Sequence, residues 1–318
     1  MEQDMKYVYA VYKHGSFSKA AESLFITQPA LSIAISKVEK NIGMSLFDRS
    51  KKPLTLTEAG TLYIQKFKQI RQTEHELAQQ LNDLSELNTG SLRIGGSHYF
   101  NSYVLPKVLT EYKRKYPGIQ LDLQEAGSSD LLRMLGDHEI DLTFNCTTKP
   151  TDSFHRIPGF IDTILVSVPK SFEVNENFKR YALSAEDIVN KRHQDFSTPS
   201  ARLDMLSDTP FILLTPGNNL YSRSSAFFAD AKMEPKVTLQ VSQLVTGYHL
   251  SRAGMGATFI SDLLVSPEHE NVWFYKIDSP RSIRVFDLVM SNESYISNAM
   301  KEFIRLFQDQ YGLHLEKR

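Results

Sequence analysis

Residues 16–50 read SFSKAAESLFITQPALSIAISKVEKNIGMSLFDRS, two short helical patterns in immediate succession. Ser16 stands where an N-cap hydroxyl accepts an orphan backbone N–H, and Ala20, Ala21 and Leu24 give the first pattern a compact inner face. Thr27 is placed to cap a second helix whose first turn holds Pro29, where a missing N–H costs little. Within that helix Leu31, Ile35, Val38 and Ile42 recur as the apolar stripe of an element packed on a core, and Gly43 suits the residue that ends it.

The other face of the second helix carries the functional signal. Gln28, Ser32 and Ser36 are spaced by four, with Ile33, Lys37 and Lys40 beside them. Such a ridge fits a DNA major groove: Gln can pair with adenine N6 and N7, Ser can donate or accept, and Ile can touch a thymine methyl. A solvated surface helix shows the same face, so the neighbours decide. Leu46 and Phe47 close a small core, and Arg49 to Leu56 reads as a short basic β-hairpin whose Arg49, Lys51 and Lys52 can meet phosphates. The order of these pieces is that of a helix-turn-helix followed by a wing. Charge agrees, because residues 1–71 hold 11 basic against 6 acidic side chains, a net of +5 in a chain of formal charge -1.

A chain of 318 residues with 41% hydrophobic content is expected to form two or three domains. Its single cysteine, Cys146, excludes an intrachain disulfide and a thiolate zinc cage. The first residues do not read as a signal peptide, and no apolar run approaches the roughly 20 residues of a membrane span, which predicts a soluble cytoplasmic protein without a membrane partner.

The string Phe17, Ala20-Ala21, Leu24, Gln28-Pro29-Ala30-Leu31-Ser32, Ile35, Glu39, Gly43, Leu46-Phe47, Arg49, Leu56-Thr57, Ala59-Gly60 resembles the N-terminal signature of the LysR-type transcriptional regulators. That resemblance implies an α/β chain with an N-terminal winged helix-turn-helix, a long dimerising linker helix and a two-lobed effector domain built like a periplasmic binding protein. It also implies Gln28, Pro29, Ser32 and Ser36 facing bases and Arg49 facing phosphate, and as partners double-stranded DNA, a small-molecule effector, further copies of the chain (a homodimer or homotetramer) and RNA polymerase. Ile33 and Ala34 follow Ser32 where the family often places Arg or another polar residue, so the operator preference of relatives does not transfer.

From Thr57 to Asn88 there is no proline, and Tyr63, Phe67, Ile70, Glu74, Leu77, Leu81 and Leu84 step alternately by four and three. This heptad seam predicts a long helix paired with a second copy, holding two DNA-binding heads at fixed spacing. A single helix folded back on its own domain is the alternative. Residues 88–91 read as the hinge.

Beyond the hinge, strand and helix patterns alternate, predicting a mostly parallel sheet covered on both faces. The expected layout is residues 1–57 for DNA binding, 58–90 for the linker, 91–162 with 266–318 for one lobe and 163–265 for the other. Two crossings between lobes make a cleft. In parallel sheets ligands bind beyond the carboxyl ends of strands, near helix N-termini. Those positions hold Ser97, Tyr99 and Asn101 after the first strand, Ser128 and Ser129 after the second, Asn145 and Thr147 after the third. The other lobe offers Thr215, Asn218 and Ser242. Hydroxyls and amides of this kind suit a carboxylate or other small polar metabolite, although helix capping favours the same residues.

The segment 190–208 is longer and more polar than a connection needs and reads as an insertion. Nine histidines make no HxH, HxxxH or HExxH spacing, and no GxSxG, GxxxxGK[ST] or strand-borne GxGxxG occurs, which predicts neither metal nor cofactor. Cys146 reads either as a redox-sensing thiol or as an inert small hydrophobe. A rival function remains, a two-lobed binding protein or enzyme whose N-terminal helices serve assembly alone. The charge split and the Gln28, Ser32, Ser36 ridge argue against it, and no nucleophile with a base suggests catalysis.

Overall fold

The computed structural model describes residues 2–51, 53–84, 89–146 and 152–312, and the chain divides into two compact units, Met1–Ala78 and Gln79–Arg318. Lys52 and Thr147 therefore lie outside the described residues.

In the first unit, helices α1 (Glu2–His14), α2 (Phe17–Ser23) and α3 (Gln28–Ile42) surround a core of Val8, Val11, Ala20, Ala21, Leu31 and Ile35. The caps are those the sequence predicts: Ser16 Oγ accepts from Lys19 N, Thr27 Oγ1 accepts from Ala30 N, and Gly43 ends α3 in the left-handed region. Leu31, Ile35 and Val38 are buried, whereas Ile42 is exposed because the helix runs past its core before Gly43. Strands β1 (Phe47–Asp48) and β2 (Thr55–Leu56) pair antiparallel, so a hairpin is present but its first strand precedes Arg49, where the sequence reading began it, and Arg49 and Lys51 stand in the connecting loop. Gly60 is required at the start of α4 (Glu58–Asp83), where a Cβ would stand 1.9 Å from the Leu46 carbonyl oxygen. That close approach seats the long helix on the wing.

The seam of α4 does not serve one partner throughout. Phe67 is buried against Tyr9 of its own chain, at 5.5 Å between ring centroids, and Ile64, off the seam, is buried beside it. Ile70, Leu77, Leu81 and Leu84 are exposed. In the second unit the end of α4 is tied down by Asp83, whose carboxylate accepts from Tyr295 Oη at 2.8 Å and Asn298 N at 3.0 Å.

The second unit starts with β3 (Ser91–Gly96), a π-helical turn at Phe100–Val104, α5 (Leu105–Lys115), β4 (Gln120–Glu125), α6 (Ser128–Gly136) and β5 (Leu142–Asn145). There follow β6 (Phe154–Pro169), α7 (Val174–Asn177), β7 (Ala182–Leu183), α8 (Ala185–Val189), β8 (Pro210–Leu214), α9 (Asn219–Asp230), β9 (Lys236–Val241), α10 (Leu244–Arg252) and β10 (Thr258–Ser261). The chain ends with β11 (Val272–Lys276), β12 (Ile283–Ser291) and α11 (Asn298–Tyr311).

The main sheet is mixed, which corrects the mostly parallel expectation. It runs β4-β3-β5-β12-β6-β11-β7 with β10 also on β6; β3 is parallel to β4 and β5, but β12 is antiparallel to β5 and β6, and β10 and β11 are antiparallel to β6. The cause is β6, 16 residues long, whose first part pairs with β12 and whose last part pairs with β10 and β11. Pro158 and Gly159 look like breakers in the sequence, yet Gly159 occupies a bulge where the register shifts between Phe286 and Asp287. Strands β6 and β12 are thus the two crossings that join the lobes, and one hydrophobic cluster reaches from Leu92 to Phe307.

Candidate functional site

Two faces concentrate chemistry, one in each unit. On the first, burial of Leu31, Ile35 and Val38 turns the opposite side of α3 outward: Gln28, Pro29 and Ser36 are exposed, Ile33 is 70% exposed and Ser32 half-buried. Gln28 Nε2 donates to Ser32 Oγ at 2.8 Å, so the two ridge side chains hold one another in a shared orientation. Arg49 is fixed as well. Its Nη2 donates to Glu39 Oε2 at 2.9 Å and its guanidinium lies 5.2 Å from the Phe17 ring centroid. Glu39 Oε1 accepts from Leu46 N at 2.8 Å and Phe47 N at 3.4 Å, locking the wing to α3. Sequence reading named Glu39 without this role, since an acceptor for backbone seven residues away leaves no periodic trace. Lys51 is exposed and 3.7 Å from Asp48. A ridge at one end of α3 and an anchored cation on the adjoining wing suit base edges and phosphates respectively.

On the second face, the two lobes enclose a cavity of about 680 Å³. Of the predicted ligand residues, Ser97, Tyr99, Ser128, Ser129, Asn145, Asn218 and Ser242 line it together. Asn101 and Thr215 do not: Asn101 Nδ2 turns to the Gln124 carbonyl at 3.4 Å, and Thr215 N donates to Val241 O at 2.9 Å. Tyr99 reaches the cavity with its ring, but its hydroxyl points into a buried network and lies 3.1 Å from Asp162 Oδ2 and 2.8 Å from Ser261 Oγ. Burial, and then the Asp162 carboxylate, raise that phenol well above its ordinary value, so it stays protonated.

The residue the sequence did not reveal is Arg284, on β12. It is 4% exposed, lines the cavity, and lies directly across from Asp162 of β6 in the register of the two crossing strands. Its Nε donates to Asp162 Oδ1 at 2.7 Å and its Nη2 to Asp162 Oδ2. Burial works against the guanidinium charge, but Asp162 outweighs it and the group is firmly protonated. Ser261 Oγ adds a 2.7 Å bond to Asp162 Oδ2. Next to Ser261, Asp262 accepts from Thr163 N at 3.0 Å and pairs with His193 Nε2 at 2.9 Å. The predicted insertion is therefore anchored through His193, 1% exposed, to the crossing strand. Only pairing across the sheet brings residues this distant in sequence together, which is why no motif announced them.

Cys146 lines the cavity and is 7% exposed; burial pushes its thiol up while Arg284 and Arg223 pull it partly back. It is a thiol rather than a thiolate, as a small hydrophobe would be. Among the described residues no group of His, Cys, Asp and Glu could hold a metal ion, and no helix is long and apolar enough to cross a membrane.

Residues 3–61 match the family model of the bacterial regulatory helix-turn-helix protein, lysR family, and residues 85–312 match that of the LysR substrate binding domain. The chain is 26% identical over 305 residues to an uncharacterized HTH-type transcriptional regulator, YcgK, of Bacillus subtilis (strain 168), covering 96% of this chain and 93% of the relative. It is 23% identical over 317 residues to the hydrogen peroxide-inducible genes activator of Dickeya chrysanthemi, covering 99% and 97%. Among solved structures, full-length CbnR complexed with its target DNA superimposes with a TM-score of 0.61 at 15% identity, covering 97% of this chain and 99% of CbnR. The effector binding domain of QuiR in complex with shikimate superimposes with a TM-score of 0.57 at 16% identity, covering 71% of this chain and 99% of QuiR.

Proposed function

The chain belongs to the LysR family of transcriptional regulators, with a helix-turn-helix DNA-binding part and an effector-binding part, and on that premise we propose which of its residues perform each task. Residues 1–57 bind DNA: Gln28, Pro29, Ser32, Ile33 and Ser36 meet base edges, while Arg49, Lys51 and Lys52 meet phosphates. Residues 58–90 pair two copies through the exposed Ile70, Leu77, Leu81 and Leu84 of α4. The cavity between residues 91–162 with 266–318 and residues 163–265 takes a small polar effector, which contacts Ser97, Ser128, Ser129, Asn145, Asn218 and Ser242. An effector acts by binding one arrangement of the lobes better than another, and the crossings β6 and β12 are where that difference is felt.

The observation that carries the DNA assignment is the outward face of α3, with Gln28 and Ser36 exposed opposite a buried Leu31, Ile35 and Val38. The test compares Gln28→Ala with the parent on cognate and unrelated duplexes across a salt titration. A bidentate base contact predicts about 1–3 kcal/mol lost on the cognate site alone, with an unchanged salt slope. Equal loss on both duplexes would remove Gln28 from base recognition.

A further inference from the structure

Leu31, Ile35 and Val38 are the buried positions of α3, whereas Ile33 is 70% exposed. At 3.6 residues per turn Ile33 is rotated roughly 140–160° from each of the three, so it stands in the middle of the face that points away from the core. One exposed apolar residue is ordinary by itself; its surroundings set this one apart. Gln28 and Ser32, bonded to one another at 2.8 Å, stand beside it. Pro29 and Ala30, one turn earlier, are exposed and short, so Ile33 projects beyond them, and Lys37 and Lys40 continue the exposed face toward Gly43. A β-branched side chain within a helix keeps close to one χ1 rotamer, so the methyl groups of Ile33 hold a fixed place and lose little freedom on contact.

The chemistry of the side chain narrows what it can meet. It carries no donor and no acceptor, and the apolar group that base pairs present in the major groove is the C5 methyl of thymine. An unmethylated cytosine offers hydrogen at that place, and pressing Ile33 against its polar edge removes water without supplying a partner. Methylation of cytosine at C5 restores the missing group. We infer that Ile33 reads the C5 methyl of a pyrimidine, in thymine or in 5-methylcytosine, which makes binding by α3 responsive to cytosine methylation as well as to sequence. This deepens the base-reading role of α3 and rests on it.

The test uses the full-length protein and a duplex selected by it from a random library, with affinity followed by fluorescence anisotropy. Each thymine is replaced in turn by deoxyuridine, which removes the methyl group alone, and the sensitive T·A pair is then exchanged for C·G and for 5-methylcytosine·G. At one thymine or more the parent should bind the uracil duplex about 3- to 10-fold more weakly, the effect of leaving roughly one methyl group unburied. Ile33→Ala, which touches no core residue and should melt with the parent, should bind both duplexes equally, and Ile33→Val should keep the discrimination. A gain for 5-methylcytosine over cytosine in the parent, absent from Ile33→Ala, extends the reading to both pyrimidines; no gain restricts its source to thymine. Uracil duplexes that all bind the parent undiminished, or a uracil penalty that persists in Ile33→Ala, overturn the role of Ile33 and leave α3 as the base-reading helix. A selection that yields no duplex preferred over unrelated DNA overturns both.

Discussion

Phe25 occupies the turn between α2 and α3 with φ +56°, and its side chain is 96% exposed. A left-handed backbone costs an L-residue with a Cβ roughly 1–2 kcal/mol, and here no packing offsets it. The turn needs that conformation, because Phe25 N donates to Glu22 O and Ile26 N to Ala21 O, which reverses the chain so that Thr27 can cap α3. Phe25→Gly should therefore stabilise the fold by up to about 1 kcal/mol in urea unfolding, the loss of strain exceeding the added unfolded-state entropy. A loss of stability would mean that the exposed ring contributes packing the structure does not show. Sequence reading placed both caps and the turn, since those depend on residues next to one another; it did not mark Phe25 as strained, because nothing in its residue type asks for a positive φ. The same limit hid Arg284 and the role of Glu39, both set by partners brought together through tertiary structure.

Helix α4 shows what a periodic pattern can and cannot tell. Its heptad seam is real as a spacing, but Phe67 is used within its own chain, on Tyr9, and only the later positions are left outward. A seam states that a face is apolar and is silent on which surface covers it. If a second copy covers the outward part, Leu77→Lys with Leu81→Lys should dissociate the oligomer in sedimentation velocity and weaken binding to a two-half-site operator far more than to a single half-site, because the two heads lose their tether. Both leucines are more than half exposed, at 56% and 58%, so the monomer itself should unfold at nearly the parent temperature. An unchanged sedimentation coefficient would place the interface elsewhere. Strand β6 fails legibility for the opposite reason: Pro158 and Gly159 mark either a strand end or a bulge, and only the facing β12, against which the bulge forms, decides that the strand continues.

Across the whole effector unit, the two lobes are joined by β6 and β12 and by one buried polar network. Tyr99 comes from the first lobe, Asp162 and Arg284 from the crossings, and Ser261 with Asp262 from the second. Asp162 is fully buried and is the centre of it, accepting from Arg284, Tyr99 and Ser261. Such a network holds only while it is complete, since a buried charge left without its counterpart costs far more than any one neutral hydrogen bond. Asp162→Ala should accordingly destabilise the protein by about 3–5 kcal/mol, stranding the Arg284 guanidinium. Tyr99→Phe removes one donor and leaves Asp162 with Arg284 and Ser261, so its loss should be only about 0.5–1.5 kcal/mol. Chemical denaturation of the two variants checks the order. Equal losses would show that the ion pair is not what secures the junction, and that the apolar cluster running through both lobes holds them together unaided.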